Sequence, residues 1–192
     1  MAVLVDVAAD APGLTVTEQP VLDETRRLAT VTAAGVEVDT DAVWHFDGDS
    51  DAGMRALTER AALAVACDSL GVAQAMLDTT VSYTGVRQQF GRPIGSFQAV
   101  KHACADMLVT ISVARQLVSA AIGKPEPRAV SMAKSYATET AVAVAGKAMQ
   151  LHGGIGYTWE SGLHVYLKRA ALNRSLYGSP AEHRARIAQR YR

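Results

Sequence analysis

Neither sign of charge dominates this sequence: lysine plus arginine and aspartate plus glutamate number 19 each. A balanced chain carries no broad electrostatic field, which argues against nucleic acid or an anionic membrane surface as its partner. Aromatic residues are scarce, at 6%, so the core does not rest on large rings. Alanine and valine are abundant instead, a composition suited to helices that pack closely through small side chains. Cysteine occurs only at Cys67 and Cys104, without metal-ligand spacing. Both fall in apolar helical patterns and read as buried free thiols of a reducing compartment. No signal peptide is recognisable, and no apolar run reads as long enough to span a bilayer. The expectation is a cytoplasmic chain of one domain, or one domain plus part of another.

The first fifty residues have strand character. Ala2–Val7 is a short β-branched run, Asp10-Ala-Pro-Gly13 signals a turn, and Leu14–Gln19 alternates. Arg27–Thr32 and Val36–Val38 follow at strand-like length. Four short strands with open edges make a poor independent sheet, so residues 1–50 are expected to be part of a larger β domain. Residues 51–192 are expected to form a helical bundle. Ala52 to about Val86 contains no proline and at ~1.5 Å per residue extends roughly 50 Å. Its apolar residues fall on two stripes, one with Ala61, Ala64, Val65, Val72, Ala75 and Met76, the other with Leu63, Ala66, Cys67, Leu70, Leu77 and Val81. A helix apolar on two sides is an interior helix.

A second helix is predicted from an N-cap at Ser96 to the Gly123-Lys-Pro125 break, with Val100, Cys104, Met107, Leu108, Ile111, Val118 and Ile122 on its stripe. A third spans about Arg128–Leu151 and closes at His152-Gly-Gly-Ile-Gly156, where left-handed glycines are expected. A shorter helix covers about Gly162–Leu176. The last begins at Ser179-Pro-Ala-Glu182, which combines an N-cap, a proline at the first helical position and a capping-box glutamate. The fold class is therefore mainly α: an antiparallel, four-helix-type bundle of long helices with a short, incomplete β segment before it.

Two segments carry possible chemistry. Arg87-Gln-Gln-Phe-Gly-Arg-Pro-Ile94 closes the first long helix, where basic residues are ordinary, yet an arginine there could also fork onto a phosphate. Gln150-Leu-His-Gly-Gly-Ile-Gly-Tyr157 lacks the strand and the spacing of a dinucleotide fingerprint. It reads as a glycine-rich helix stop, although backbone bared by adjacent glycines can approach a ligand closely.

Taken together and in order, Arg87-x-Gln-Phe-Gly-x-Pro-Ile94, Phe97-Gln98, Cys104-Ala-Asp-Met107 and Gln150-x-x-Gly-Gly-Ile-Gly-Tyr-Thr-x-Glu160 closely resemble the acyl-CoA dehydrogenase family. The resemblance runs from about Val3 to Ala188. Asp6–Trp44 is similar to the second half of that family's middle β domain, and the rest to its carboxyl-terminal helical domain. The stretch from Gly156-Tyr-Thr-Trp-Glu160 to Leu163-His-Val-Tyr-Leu-Lys-Arg169 is nearest to actinobacterial-type members, many of which take steroid or other bulky CoA thioesters. The resemblance implies FAD bound across a dimer interface. Arg87 would reach the pyrophosphate, with Gln89 and Phe90 along the same stretch. Phe97 and Gln98 would lie towards the adenosine, and Gln150, Leu151, His152, Gly153 and Gly154 would pass along the adenosine side. His152 itself reads as packing.

In that family a glutamate removes the α proton of an acyl-CoA while hydride passes from the β carbon to flavin N5. Here the resemblance places Gly178 where most members carry the glutamate and Ala61 where others do. Glu59 lies two residues from the second position, about 200° around the helix, and Glu182 is explained by capping. The expectation is a chain that supplies half of a FAD site to a homo- or hetero-oligomer containing a complete acyl-CoA dehydrogenase-type subunit. Its alternatives are a fragment of a complete FAD-dependent dehydrogenase acting on acyl-CoA, or a flavin-free helical interaction module.

Overall fold

The computed structural model describes residues 2–189 and divides the chain into two compact units, Met1–Thr58 and Glu59–Arg192. In the first, β1 (Val3–Val5) pairs antiparallel with β4 (Val43–His45), and β2 (Leu14–Gln19) with β3 (Leu28–Ala33). These are two separate two-stranded ladders, not one sheet. Val36–Val38, expected as a strand, is not one; the strand forms seven residues later, where Trp44 stands opposite Leu4. The acidic stretch Asp39-Thr-Asp41 enters a short 3-10 turn, Thr40–Ala42, that redirects the chain into β4. Val16, Val31 and Trp44 are all more than half exposed, as expected of ladders whose faces nothing in the unit covers.

Helices dominate the remainder: α1 (Ser50–Val86), α2 (Gln98–Gly123), α3 (Pro127–His152), α4 (Leu163–Ser175) and α5 (Pro180–Ala188). Four long helices pack together, and the order of their contacts gives their sense. One cluster joins Val72–Leu77 of α1 to Met107 and Ile111 of α2, Ala141–Met149 of α3, and Leu163 and Ala170 of α4. A second joins Ala66 of α1 to Ala114, Val118 and Ala121 of α2 and Ala133 and Ala137 of α3. Moving back along α1 moves forward along α2 and back along α3, so neighbours are antiparallel. Ala133, Ala137, Ala141, Ala145 and Ala148 of α3 are all fully buried. Spaced three or four residues apart, they form a seam of methyl groups on one face.

The burial corrects several expectations. In α1 only one ridge is buried, through Ala62, Val65, Ala66, Ser69, Val72, Ala73, Met76, Leu77, Thr80 and Thr84; Ala64 and Val81 face outward. In α2 the buried ridge is Met107, Ile111, Ala114, Val118 and Ala121, whereas Leu108 and Ile122, placed on the stripe by sequence, are exposed. Cys67 and Cys104 are free but half-buried at the margins of the two clusters, and desolvation raises both thiol pKa values. Helix α2 is capped at Phe97, not Ser96; the Ser96 hydroxyl donates back to the Pro93 carbonyl at 2.7 Å.

The bilayer criterion also needs correcting. Helices α1 and α2 each contain an 18-residue stretch long and apolar enough to cross a membrane, with mean hydropathy 1.3 and 1.4. Runs of alanine and valine with few charges reach that average without forming one unbroken apolar block. The buried ridge accounts for the apolar character of α1. In α2 only 28% of the stretch is buried, and Leu108, Val109, Val113 and Ile122 remain on its outer side.

Helix α4 is tied to α1 by a polar contact. Arg169 donates from Nε (3.0 Å) and Nη2 (2.6 Å) to the two oxygens of Asp68, and Asn173 Nδ2 donates to Asp68 (2.6 Å) and Ser69 (3.0 Å). The bidentate fork fixes direction as well as distance. Helix α5 starts as its sequence specifies: Ser179 Oγ accepts from the Glu182 amide and the Glu182 carboxylate accepts from the Ser179 amide, a complete capping box. Ser179→Ala should therefore lower unfolding free energy by about 1 kcal/mol, read as a shift of the urea midpoint with unchanged m-value.

Candidate functional site

The segment read from sequence as the close of the first long helix is a miniature β-hairpin between α1 and α2. β5 (Gln88–Gln89) pairs with β6 (Arg92–Pro93), and the Ile94 amide donates to the Arg87 carbonyl at 2.8 Å to close its base. The two loop residues, Phe90 and Gly91, have φ of 52° and 74°, the sign pattern of a type I′ turn. A bulky residue with positive φ is uncommon and is held only where surrounding structure insists on it. The hairpin thrusts Phe90 outward, 90% exposed. Its ring meets the edge of Phe97 with centroids 6.2 Å apart, and the Arg92 guanidinium lies 4.1 Å above the Phe97 ring.

The second segment closes α3. Gly153 takes φ 65°, ψ −144°, a positive-φ stop outside the left-handed basin that sequence suggested and one that only glycine enters freely. The backbone then runs through a 3-10 turn, Gly153–Tyr157. His152 is buried and committed to packing. Its Nδ1 donates to the Ala148 carbonyl at 2.8 Å, and its ring stacks on Tyr83 at 4.3 Å. The Tyr83 hydroxyl donates to the His152 carbonyl at 3.3 Å.

These two segments meet. An open cleft of about 440 Å³ is lined by Tyr83, Arg87, Gln89 and Ile94 on one side and residues 150–155 on the other. Of the residues singled out by sequence, Arg87, Gln89, Gln150, Leu151, His152, Gly153 and Gly154 share this cleft. Phe90 and Phe97 sit beside each other on the hairpin, and Gln98 is exposed at the start of α2, outside the lining. The Arg87 side chain, part of the cleft lining, makes no hydrogen bond or ion pair with any described residue. Sequence reasoning missed Tyr83, Ile94 and Ile155; Tyr83 lies one helical turn before Arg87, the spacing that could have found it.

The turn before α5, where the sequence carries no carboxylate, is tightly built. Tyr177 and Gly178 have φ of 55° and 101°. The Gly178 carbonyl accepts from Lys134 Nζ at 2.9 Å, and the same ammonium donates to the Asn173 carbonyl at 3.1 Å. Lys134 is fully buried, and burial lowers its pKa from 10.5 to about 8 despite an opposing contribution from Glu182. Its position was legible: it follows Val130 by four residues and precedes Ala137 by three, on the apolar face of α3. Glu182 is exposed and occupied by its cap, and its hydrogen bonds to Ser179 lower its pKa.

Long helices ending on one side in an arginine-bearing hairpin and on the other in a glycine-rich stop define a helical domain with an open cleft between the two segments. Residues 51–191 match the model of the acyl-CoA dehydrogenase carboxyl-terminal domain. The chain is 38% identical over 192 residues to acyl-CoA dehydrogenase IpdE2 of Mycolicibacterium smegmatis, covering 96% of this chain and 58% of that protein. The crystal structure of acyl-CoA dehydrogenase from Geobacillus kaustophilus superposes with a TM-score of 0.89 at 27% identity, over 97% of this chain and 51% of that one. A steroid acyl-CoA dehydrogenase variant, Tcur3481-Tcur3483 G363A, superposes with a TM-score of 0.81 at 29% identity, over 95% and 50%. This chain belongs to the acyl-CoA dehydrogenase family, whose members are flavoprotein oxidoreductases that are oligomeric and typically bind FAD. It spans about half the length of the relatives it matches.

The depressed Lys134 pKa has a thermodynamic consequence. Between about 8 and 10.5 the unfolded chain holds more protons than the folded one, so stability rises with pH through that interval. Urea denaturation at pH 8 and pH 10 should show the wild type gaining stability relative to Lys134→Met.

Proposed function

We propose that this chain contributes the adenosine- and pyrophosphate-facing half of a FAD site shared with another acyl-CoA dehydrogenase-type subunit, and that it contributes no catalytic base. The observation that carries the reading is the cleft where the unpartnered Arg87 guanidinium, the amides of Gln89 and Gln150 and the main chain of Gly153–Gly154 converge. The donor set fits the ligand. A guanidinium forks onto two oxygens of a diphosphate, carboxamides serve ribose and adenine edges, and glycine lets a ligand approach the backbone. Phe90, Phe97 and Gln98 extend the surface towards the adenosine. Bound FAD supplies the two-electron acceptor; these residues bind and orient it from one side.

The absence of a base rests on the turn at residues 176–180. If its tyrosine is matched to the Tyr-Glu-Gly-Thr segment of most members, Gly178 stands for the glutamate. If Gly178-Ser179 is matched to Gly-Thr, a register favoured by the helix cap at Ser179, Tyr177 does. Neither is a carboxylate, and neither is Ala61. General-base removal of an α proton needs a carboxylate or its equivalent within hydrogen-bond reach, so the acyl-CoA is dehydrogenated at the partner's site. The partner is a complete acyl-CoA dehydrogenase-type subunit in a cytoplasmic oligomer. One structural neighbour is described as a steroid acyl-CoA dehydrogenase, which makes bulky CoA thioesters the substrate class to try first.

A second reading treats the sequence as the carboxyl-terminal part of a complete FAD-dependent dehydrogenase that oxidises the α,β bond of an acyl-CoA. The chain spans about half the length of these relatives, and a reading frame continuing upstream would distinguish this reading from the first. Mixing the chain with candidate partner subunits and measuring bound flavin tests the first. If no mixture retains flavin, the bundle is a flavin-free interaction module.

In a flavin-containing complex, Arg87→Ala should raise the FAD dissociation constant roughly 10- to 100-fold, the range for hydrogen bonds to a charged partner. Lysine should restore only part of the loss; an unchanged constant by equilibrium dialysis would return Arg87 to a helix-end role. Gly178→Glu should not install turnover. A Cβ there would lie 3.0 Å from His183 Nε2 at a φ of 101°, so the variant should be less stable in urea and equally inactive.

A further inference from the structure

A polar cluster outside the cleft surrounds the carbonyls of Tyr177 and Gly178. Two residues one turn apart on α3, Ser131 and Lys134, meet it from one side, and His183 of α5 from another. Lys134 holds the Gly178 carbonyl as described above. His183 is 1% exposed; its Nε2 lies 3.1 Å from the Tyr177 carbonyl and its Nδ1 3.2 Å from Ser131 Oγ. A carbonyl can only accept, so Nε2 carries the proton. In the neutral ring Nδ1 is then an acceptor, and Ser131 donates to it. Two successive carbonyls of two successive positive-φ residues are thus pinned from two helices, by one ammonium and one neutral imidazole. A tyrosine with positive φ persists only where its surroundings over-determine it.

We propose that Lys134 and His183 form a two-armed latch on the Tyr177–Gly178 turn, and that protonation of the buried histidine beside the lysine ammonium destabilises it. A proton on Nδ1 leaves the Nε2–H bond to the Tyr177 carbonyl in place and turns Ser131 Oγ from donor to acceptor. Its cost is a second buried cation beside Lys134, which only Glu182 and the hydrogen-bonded dipoles offset. The charged groups that act on the imidazole are Lys134 from α3 and Glu182 and Arg186 of α5; Glu139 of α3 is paired with Arg184 at the surface. Burial holds the His183 pKa below 6.5. Arg186 and Lys134 push it the same way, while the Tyr177 hydrogen bond and Glu182 oppose them. The unfolded chain therefore takes up its proton first as pH falls. The contribution of His183 to stability is complete above about 6.5 and is lost below it.

The sequence offers a selective probe, because Tyr177–Gly178 is its one Tyr-Gly dipeptide. Carbonyl-labelled tyrosine with nitrogen-15 glycine isolates the Gly178 amide in the NMR spectrum of the full chain. Between pH 8 and pH 5 that signal should move, or split, with a midpoint below 6.5. His183→Gln should hold the pH 7 position throughout, since a glutamine can donate to the Tyr177 carbonyl, accept from Ser131 and take no proton. Lys134→Met should raise the wild-type midpoint by removing the neighbouring charge; if that variant does not fold, the first two samples decide. A Gly178 signal that stays fixed to pH 5 in a chain still folded by circular dichroism would overturn the latch. So would an unaltered titration in His183→Gln.

Discussion

The bundle depends on how closely α3 can be approached. Its five buried alanines let α2 and α4 draw in closely, and the buried ridge of α1 joins the same two core clusters. Small side chains bring backbones together but offer little area each, so the bundle needs length. The 37 residues of α1 and the 26 each of α2 and α3 supply it. The same geometry explains Lys134. Between Ala133 and Ala137 its four-carbon stem runs inside the seam, and its ammonium surfaces only where carbonyls at the end of α4 and in the following turn can receive it.

Helix existence was legible wherever a sequence signal acts locally. The capping box at Ser179, the proline break before α3 and the glycine stop at 153 all act through the nearest backbone groups, and the boundaries came out within a residue or two. Burial was less legible, because the sequence shows which residues are apolar but not which of them the rest of the chain covers. Leu108 and Ile122 of α2 have the character of core residues and face outward. Val36–Val38 has strand composition but no partner in register, whereas Val43–His45 has one in β1.

At the candidate site the sequence identified segments and missed their geometry. Arg87-x-Gln-Phe-Gly and Gln150-x-x-Gly-Gly, more than sixty residues apart, stood out through a family resemblance. What joins them in space is the packing of Tyr83 on His152, a contact that no local pattern encodes. The hairpin escaped notice because its loop is Phe-Gly, not the Asn-Gly or Asp-Gly that usually announces such a turn. The turn at Tyr177–Gly178 was read only for a missing carboxylate, although its two positive φ values and its buried lysine and histidine make it among the most constrained parts of the backbone.

The hydrogen bond between the Arg87 carbonyl and the Ile94 amide bears on how this surface can vary among related chains. It brings the two ends of the hairpin together, so the handover from α1 to α2 is complete without the six residues between them. What those residues present can be exchanged without altering the helices. The side chains at the tip can therefore be substituted without disturbing the bundle, whereas the glycine-rich stop across the cleft is the end of α3 itself and changes only at the expense of that helix.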